Sequence, residues 1–316
     1  MSEWGLDVKW ILDILKSLIA STIFFLIGLA FGGVIYPAVK KSANPLSEIL
    51  PFSLKKKENY IYICYGLANP KPRQNYYVVE EGDLSAIYSV VDIFTDVYKR
   101  ERVNVLNHLS TEAILSEIKN IVTVSGPVWN CVTELFIGKI GSPVIFDRNS
   151  KNLVLTEKGE GKEHKTEYRT TYRKPNEPKK CHGIILCGEV ERADGKKQNV
   201  LVCAGNSHLS TYGTVIFLRQ LYNSRKLSKT LKAHCISGAP RWRLLLRSLL
   251  RKLLRNTRVN STDESRRWGL ILEVVDKSQL NLHRTRGLPM NPSHLDVKIV
   301  KYLTEDMFFN SFEYHY

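Results

Sequence analysis

"NIVTVSGPVWNCVTEL", residues 120–135, decides the architecture. Its opening "NIVTVSG" is an apolar, β-branched run of strand length. Gly126-Pro127 interrupts it, and "VWNCVTELFIGKI" (128–140) restarts as a helix, with Pro127 suited to a first helical turn. A strand that turns at glycine straight into a helix is the repeating unit of a parallel α/β sheet.

The same alternation continues on both sides. "NYIYICYG" (59–66) reads as a strand, and "GDLSAIYSVVDIFTDVYKR" (82–100) as an amphipathic helix with Leu84, Ile87, Val90, Val91 and Phe94 at helical spacing. "VNVLNH" (103–108) is a second strand and "TEAILSEIK" (111–119) a short helix capped by Thr111. "SPVIFD" (142–147) is a further strand. "CHGIILCGEV" and "NVLVCAG" flank the turn-forming Asp194-Gly195 as a β-hairpin or two adjacent strands. "VLVCAGNSHLSTYGTVIFLRQLYN" (200–223) then repeats the strand, glycine turn and helix, and "WGLILEVVD" (268–276) and "DVKIVKYL" (296–303) close the chain as strands. The expected fold is a Rossmann-like, mostly parallel sheet with some antiparallel strands, over residues 58–316. Residues 157–180, with five acids, eight bases and no apolar periodicity, read as a solvated charged insertion.

At 316 residues there is ample material for a core, and 43% hydrophobic with 24% charged residues is ordinary for a globular protein. The net charge of +15 is not, and it is local. Residues 195–262 hold fourteen Lys and Arg and no acid, which leaves the rest of the chain close to neutral. The six cysteines have no CxxC spacing, so they read as reduced thiols and no metal or cofactor is implied.

Residues 17–39, "SLIASTIFFLIGLAFGGVIYPAV", are uncharged and long enough as a helix to cross about 30 Å of hydrocarbon. Glu3, Asp7 and Asp13 in the lead fit a cleaved signal peptide poorly. The reading is an N-terminal segment and single-pass anchor over 1–41, followed by a basic linker over 42–57. Lys40, Lys41, Lys55, Lys56 and Lys57 follow the span, so the N-terminus is expected outside and the C-terminal domain cytoplasmic. Gly28 and Gly32 form a GxxxG pair suited to close helix approach in a homodimer.

In an open parallel sheet, ligands sit beyond the carboxyl ends of the strands. The first amides of a helix lack internal partners and favour anions, and glycine lets backbone come close. Ser125, Gly126 and Asn130 at one turn, and Gly205, Asn206, Ser207, His208 and Thr211 at another, are the expected contacts for a nucleotide-like anion. Ser210 and the turn at Gly66–Pro70 add to that set. Neither turn is a GxGxxG or a P-loop, so neither dinucleotide binding nor NTP hydrolysis is supported. Glu134, Glu189, Asp83 and His208 are acid or base candidates and Ser125 a nucleophile candidate, without a Ser-His-Asp order or a G-x-S-x-G elbow; Asp83 after Gly82 reads more simply as a helix N-cap and Glu189 as an exposed strand position.

Over residues 58–223 these strand-glycine-helix turns resemble Rossmann-like nucleotide-sensing domains, such as the CRISPR-associated Rossmann-fold receptors. They are also similar to nucleoside deoxyribosyltransferase-like folds. The first resemblance implies a nucleotide messenger held at 125–130 and 205–211, often across a dimer, and a signalling or defence role. The second implies a helix carboxylate as nucleophile, with Glu134 the nearest analogue.

"RWRLLLRSLLRKLLRN" (241–256) gathers Trp242, Leu245, Leu246, Leu249, Leu250 and Leu253 on one face, and Arg241, Arg243, Arg247, Arg251 and Arg255 on the other. It fits packing on the sheet, binding to an anionic lipid surface, or contact with nucleic acid backbone. Taken together the sequence points to a membrane-anchored receptor for a nucleotide-like or other phosphorylated ligand. The alternatives are a tethered enzyme acting on nucleosides or nucleotides through Glu134 or His208, and a non-catalytic protein with a lipid-binding helix.

Overall fold

A computed structural model describes residues 18–25, 46, 49–50, 52, 60–68, 77–98, 100–158, 162–171, 179–192, 194–236, 267–277 and 292–308. The chain divides into two compact units, Met1–Asn44 and Pro45–Tyr316.

In the first unit residues 18–25 are helical, and Leu18, Ile19, Ile23, Phe24 and Phe25 are exposed. Among the described residues no helix is long and apolar enough to cross a membrane. The rest of the expected span, with Gly28 and Gly32, lies outside the described residues. So does the basic stretch 241–256 with Arg241, Arg243, Arg247, Arg251 and Arg255.

The second unit is mixed α/β around a seven-stranded sheet of order β10-β9-β7-β8-β3-β1-β2. The strands are β1 Ile61–Tyr65, β2 Val103–Asn107, β3 Asn120–Val124, β7 Lys179–Glu191, β8 Lys197–Gly205, β9 Trp268–Asp276 and β10 Leu295–Leu303. β2, β1, β3 and β8 pair in parallel, while β8–β7, β7–β9 and β9–β10 pair antiparallel, so five of the seven strands share one direction. β7 and β8 are joined as the expected hairpin through the turn at Gly195, whose φ is +72°.

Helices cover both faces, which is why the central strands read as unbroken apolar runs. On one face, α1 (Glu81–Tyr98) and α4 (His208–Asn223) bury Ile87, Val90, Phe94, Leu209, Val215 and Leu218 over Ile63, Val122, Val124, Leu201 and Cys203. On the other, α3 (Cys131–Ile140) sets Val132, Phe136 and Ile140 against Ile121, Val200, Val202 and Ala204. The alternation Val200–Leu201–Val202–Cys203 splits one strand between two cores.

Three expectations are corrected. The helix α2 runs His108–Ile114, and its cap is Asn107, whose Oδ1 accepts from Ser110 N at 2.9 Å; Thr111 instead donates its hydroxyl to Asn107 O at 2.8 Å. β4 (Val144–Asp147) does not join the main sheet. It pairs antiparallel with β5 (Asn152–Lys158), which pairs with β6 (Glu163–Tyr168) in a separate three-stranded sheet. The charged insertion is therefore partly strand. β6 faces solvent along nearly its whole length, so it carries no apolar period, and its neighbour β5 supplies the buried Leu153 and Leu155. The remaining short helix, α5, spans Arg225–Leu231.

Four described residues within the expected linker also belong to the core. Leu46, Ile49, Leu50 and Phe52 are buried in the α1/α4 core. Trp268 donates its indole N–H to Ile49 O at 3.1 Å, and Phe52 packs on Phe94 at 5.8 Å between ring centroids.

Candidate functional site

Strands β8, β3 and β1 lie side by side and point the same way, so their carboxyl ends, Gly205, Ser125 and Gly66, come together. The approach is tight. A Cβ on Gly126 would lie 2.6 Å from Gly205 O, so the two expected turns touch and neither tolerates a side chain there. Ser125 takes φ +98°, a conformation unusual for a residue with a Cβ, and its Oγ accepts from Gly66 N at 3.3 Å.

Beside this junction lies a cavity of about 250 Å³, lined by Gly126, Val128 and Trp129 from the first turn and Gly205, Asn206, Ser207, His208 and Thr211 from the second. Glu80 and Asp83 at the start of α1, Phe146, Asp147 and Lys151 from the β4–β5 hairpin, and Lys179 on β7 complete it. The small sheet that sequence reading missed thus supplies one wall. Lys151 sits in that hairpin at φ +56°, its N–H bonded to Asp147 O at 2.8 Å.

The expected residues divide into holders and liners. Asn130 is fully buried and committed: Nδ2 donates to Val124 O at 3.0 Å and Cys64 O at 3.4 Å, and Oδ1 accepts from Thr133 N at 3.2 Å, capping α3. Ser125 is likewise fully buried; neither lines the cavity. Asn206 reaches the cavity but is tied down, its Oδ1 accepting from His182 N at 3.0 Å and its Nδ2 donating to Tyr168 O at 3.4 Å. Ser207 and Ser210 form a capping box at the start of α4. His208 Nδ1 lies 3.0 Å from Glu80 Oε2, and the hydrogen bond to His208 holds the Glu80 carboxyl below its usual range.

Asp83 is the residue whose weight sequence reading underestimated. Helical spacing assigned the buried face to Leu84, yet Leu84 is 37% exposed and Asp83 only 4%. Its Oδ1 is buried with no partner. Burial dominates and pushes the carboxyl up to about 6.

Glu134 lies outside the cavity lining. It forms a forked ion pair with Arg148 on the surface, so it is not placed to act on anything bound there. Glu189 pairs with Lys197 at 3.2 Å along the β7–β8 hairpin.

No family model, curated protein or solved structure matches this chain. What the cavity does rests on its own chemistry: the buried acid Asp83, a His–Glu pair, the aromatic rings of Trp129 and Phe146, and two lysines. Among the described residues no group of three or more His, Cys, Asp and Glu side chains is arranged to hold a metal.

Proposed function

We propose that the chain is a membrane-attached binding protein whose cavity takes a small nucleotide-like ligand. One observation carries the reading: the two glycine turns and the first turn of α1 line a single cavity that also holds an aromatic ring and lysines. A nucleotide has three parts with three chemistries. Trp129, 37% exposed, offers a face for a base. Lys151 and Lys179 offer charge for a phosphate, and the polar interior remains for the sugar. At about 250 Å³ the cavity lies just below the range of small-ligand pockets, about 300 Å³ and upward, so nothing larger than a single nucleotide unit is favoured. Attachment is through residues 17–39, with the body on the cytoplasmic side.

A second reading has its own support. A buried carboxylate raised toward neutrality, beside a His–Glu pair, is a common arrangement for proton transfer, so the same cavity suits an enzyme acting on nucleosides or nucleotides. The carboxylate in that reading is Asp83, with His208 beside it, and not Glu134.

The test is the full chain in detergent, incubated with a panel of nucleosides and nucleotides and followed by thermal shift and chromatography. A raised melting temperature without product supports binding alone, and a new product supports the enzyme. If no compound moves the melting temperature or turns over, both readings fail. Trp129→Ala should weaken any binding by about tenfold or more, because a base would lose its stacking partner.

A further inference from the structure

We propose that Glu80 is a resident counter-anion that sets the charge selectivity of the cavity, opposing each phosphate that a ligand brings to the cationic groups Glu80 already serves. This rests on the binding reading above and narrows it: the site takes a nucleoside or nucleoside monophosphate in preference to a triphosphate or free phosphate.

Three acids line the cavity, Glu80, Asp83 and Asp147, and they differ in what they can meet. Asp83 is only 4% exposed and its Oδ1 is sealed. Asp147 is turned to its own hairpin, where its carboxylate accepts from Asn149 N at 3.0 Å and Ser150 N at 3.3 Å. Glu80 has an open side chain, 37% exposed, so it is the acid a ligand encounters.

Around that acid the chain gathers positive groups. Glu80 stands one residue before α1, and its backbone O accepts from Leu84 N at 2.8 Å in the first turn. A Cβ on Gly82 would lie 2.5 Å from His208 O, so the starts of α1 and α4 are pressed together, and both helix dipoles are positive at those ends. His208, the first residue of α4, sets Nδ1 3.0 Å from Glu80 Oε2. Lys151 from the hairpin and Lys179 from β7 line the same cavity. The contact with His208 holds the Glu80 carboxyl below its usual range, and the charges of Lys179 and Lys151 act in the same direction. Positive groups converging from four elements on one open carboxylate form an anion position that the protein fills with its own side chain. A phosphate drawn to Lys151 and Lys179 must share them with Glu80, and at such short range its repulsion by the carboxylate offsets much of that attraction. A base on Trp129 and an uncharged sugar feel no such opposition. Selectivity therefore turns against charge, and not against the base or the sugar.

The experiment compares the full-length parent in detergent at pH 7.5 with Glu80→Gln, which keeps an acceptor for His208 Nδ1 and removes the charge. Affinities are measured for the tightest-binding nucleoside of the panel, for its 5′-mono-, di- and triphosphates, and for inorganic phosphate. The parent should bind the triphosphate no more tightly than the monophosphate, and inorganic phosphate poorly. Glu80→Gln should bind the triphosphate about tenfold more tightly than the parent does, with a smaller gain for the monophosphate and a change within about twofold for the nucleoside. A parent that prefers the triphosphate by about tenfold or more overturns the charge-selectivity role while the binding function stands. So does a variant that gains nothing for the triphosphate, or gains as much for the uncharged nucleoside. No binding of any of these compounds by either protein overturns the function and the role together. The charge series on the parent needs no altered protein, so it decides the matter even if Glu80→Gln does not fold.

Discussion

Asp83 has a cost that can be read without any ligand. Its carboxyl sits at about 6 in the fold against 3.8 in an open chain, so the folded protein holds this proton more tightly than the unfolded one. Between those two values stability therefore falls as pH rises, by up to about 3 kcal/mol if the full difference is expressed. Asp83→Asn removes the ionisation. Its melting temperature should exceed that of the parent at pH 8, with the gap closing as pH drops from 6 towards 4. A gap independent of pH would mean the burial cost lies elsewhere. Asn130 should behave in the opposite sense. Asn130→Ala removes a helix cap and orphans two strand-end carbonyls, so chemical denaturation should register a loss of roughly 2–3 kcal/mol. These residues also mark how far sequence alone reached. Gly126 and Gly205 were legible because glycine between a strand and a helix has few purposes. Asn130 was legible as a special residue, but its identity fits a cap and a ligand contact equally, and only its buried hydrogen bonds to Val124, Cys64 and Thr133 decide. Asp83 was hidden because an acid after glycine at a helix start reads as an N-cap, whereas the helix begins at Glu81 and turns Asp83 inward.

At the level of elements, length and apolar content were enough for most of the strands and helices. They were not enough for β6, where backbone pairing to β5 holds an exposed, charged strand that leaves no side-chain signature. Missing it hid the wall that brings Phe146, Asp147 and Lys151 to the cavity. The segment around 46–52 was obscured for another reason: Lys55–Lys57 next to it make the region look solvated, although Leu46, Ile49, Leu50 and Phe52 are buried. A chain starting at residue 58 should thus be less stable than one starting at 45 by at least about 4 kcal/mol, since four large apolar side chains leave the core. Urea unfolding of the two chains, followed by tryptophan fluorescence, checks this through Trp268. Coincident curves would show that the segment adds nothing.

For the molecule as a whole, alternation of strand and helix correctly announced an α/β sheet, and the parallel set β2-β1-β3-β8 is the part it described best. The antiparallel flank β7-β9-β10 was harder to place, because long stretches of chain separate β8 from β9 and β9 from β10. Attachment is testable at this scale. The full chain should stay with membranes through alkaline extraction, whereas a chain beginning at residue 45 should be released; full recovery of the intact chain in the soluble fraction would remove the anchor.

Helix α1 has a further mechanical consequence. Phe94 and Tyr98 near its end clasp the strap that carries Phe52, and Asp83 sits at its start, with a rod of about 27 Å between first residue and last. A pull applied at Phe52 therefore bears on the same helix that carries Asp83 at its other end.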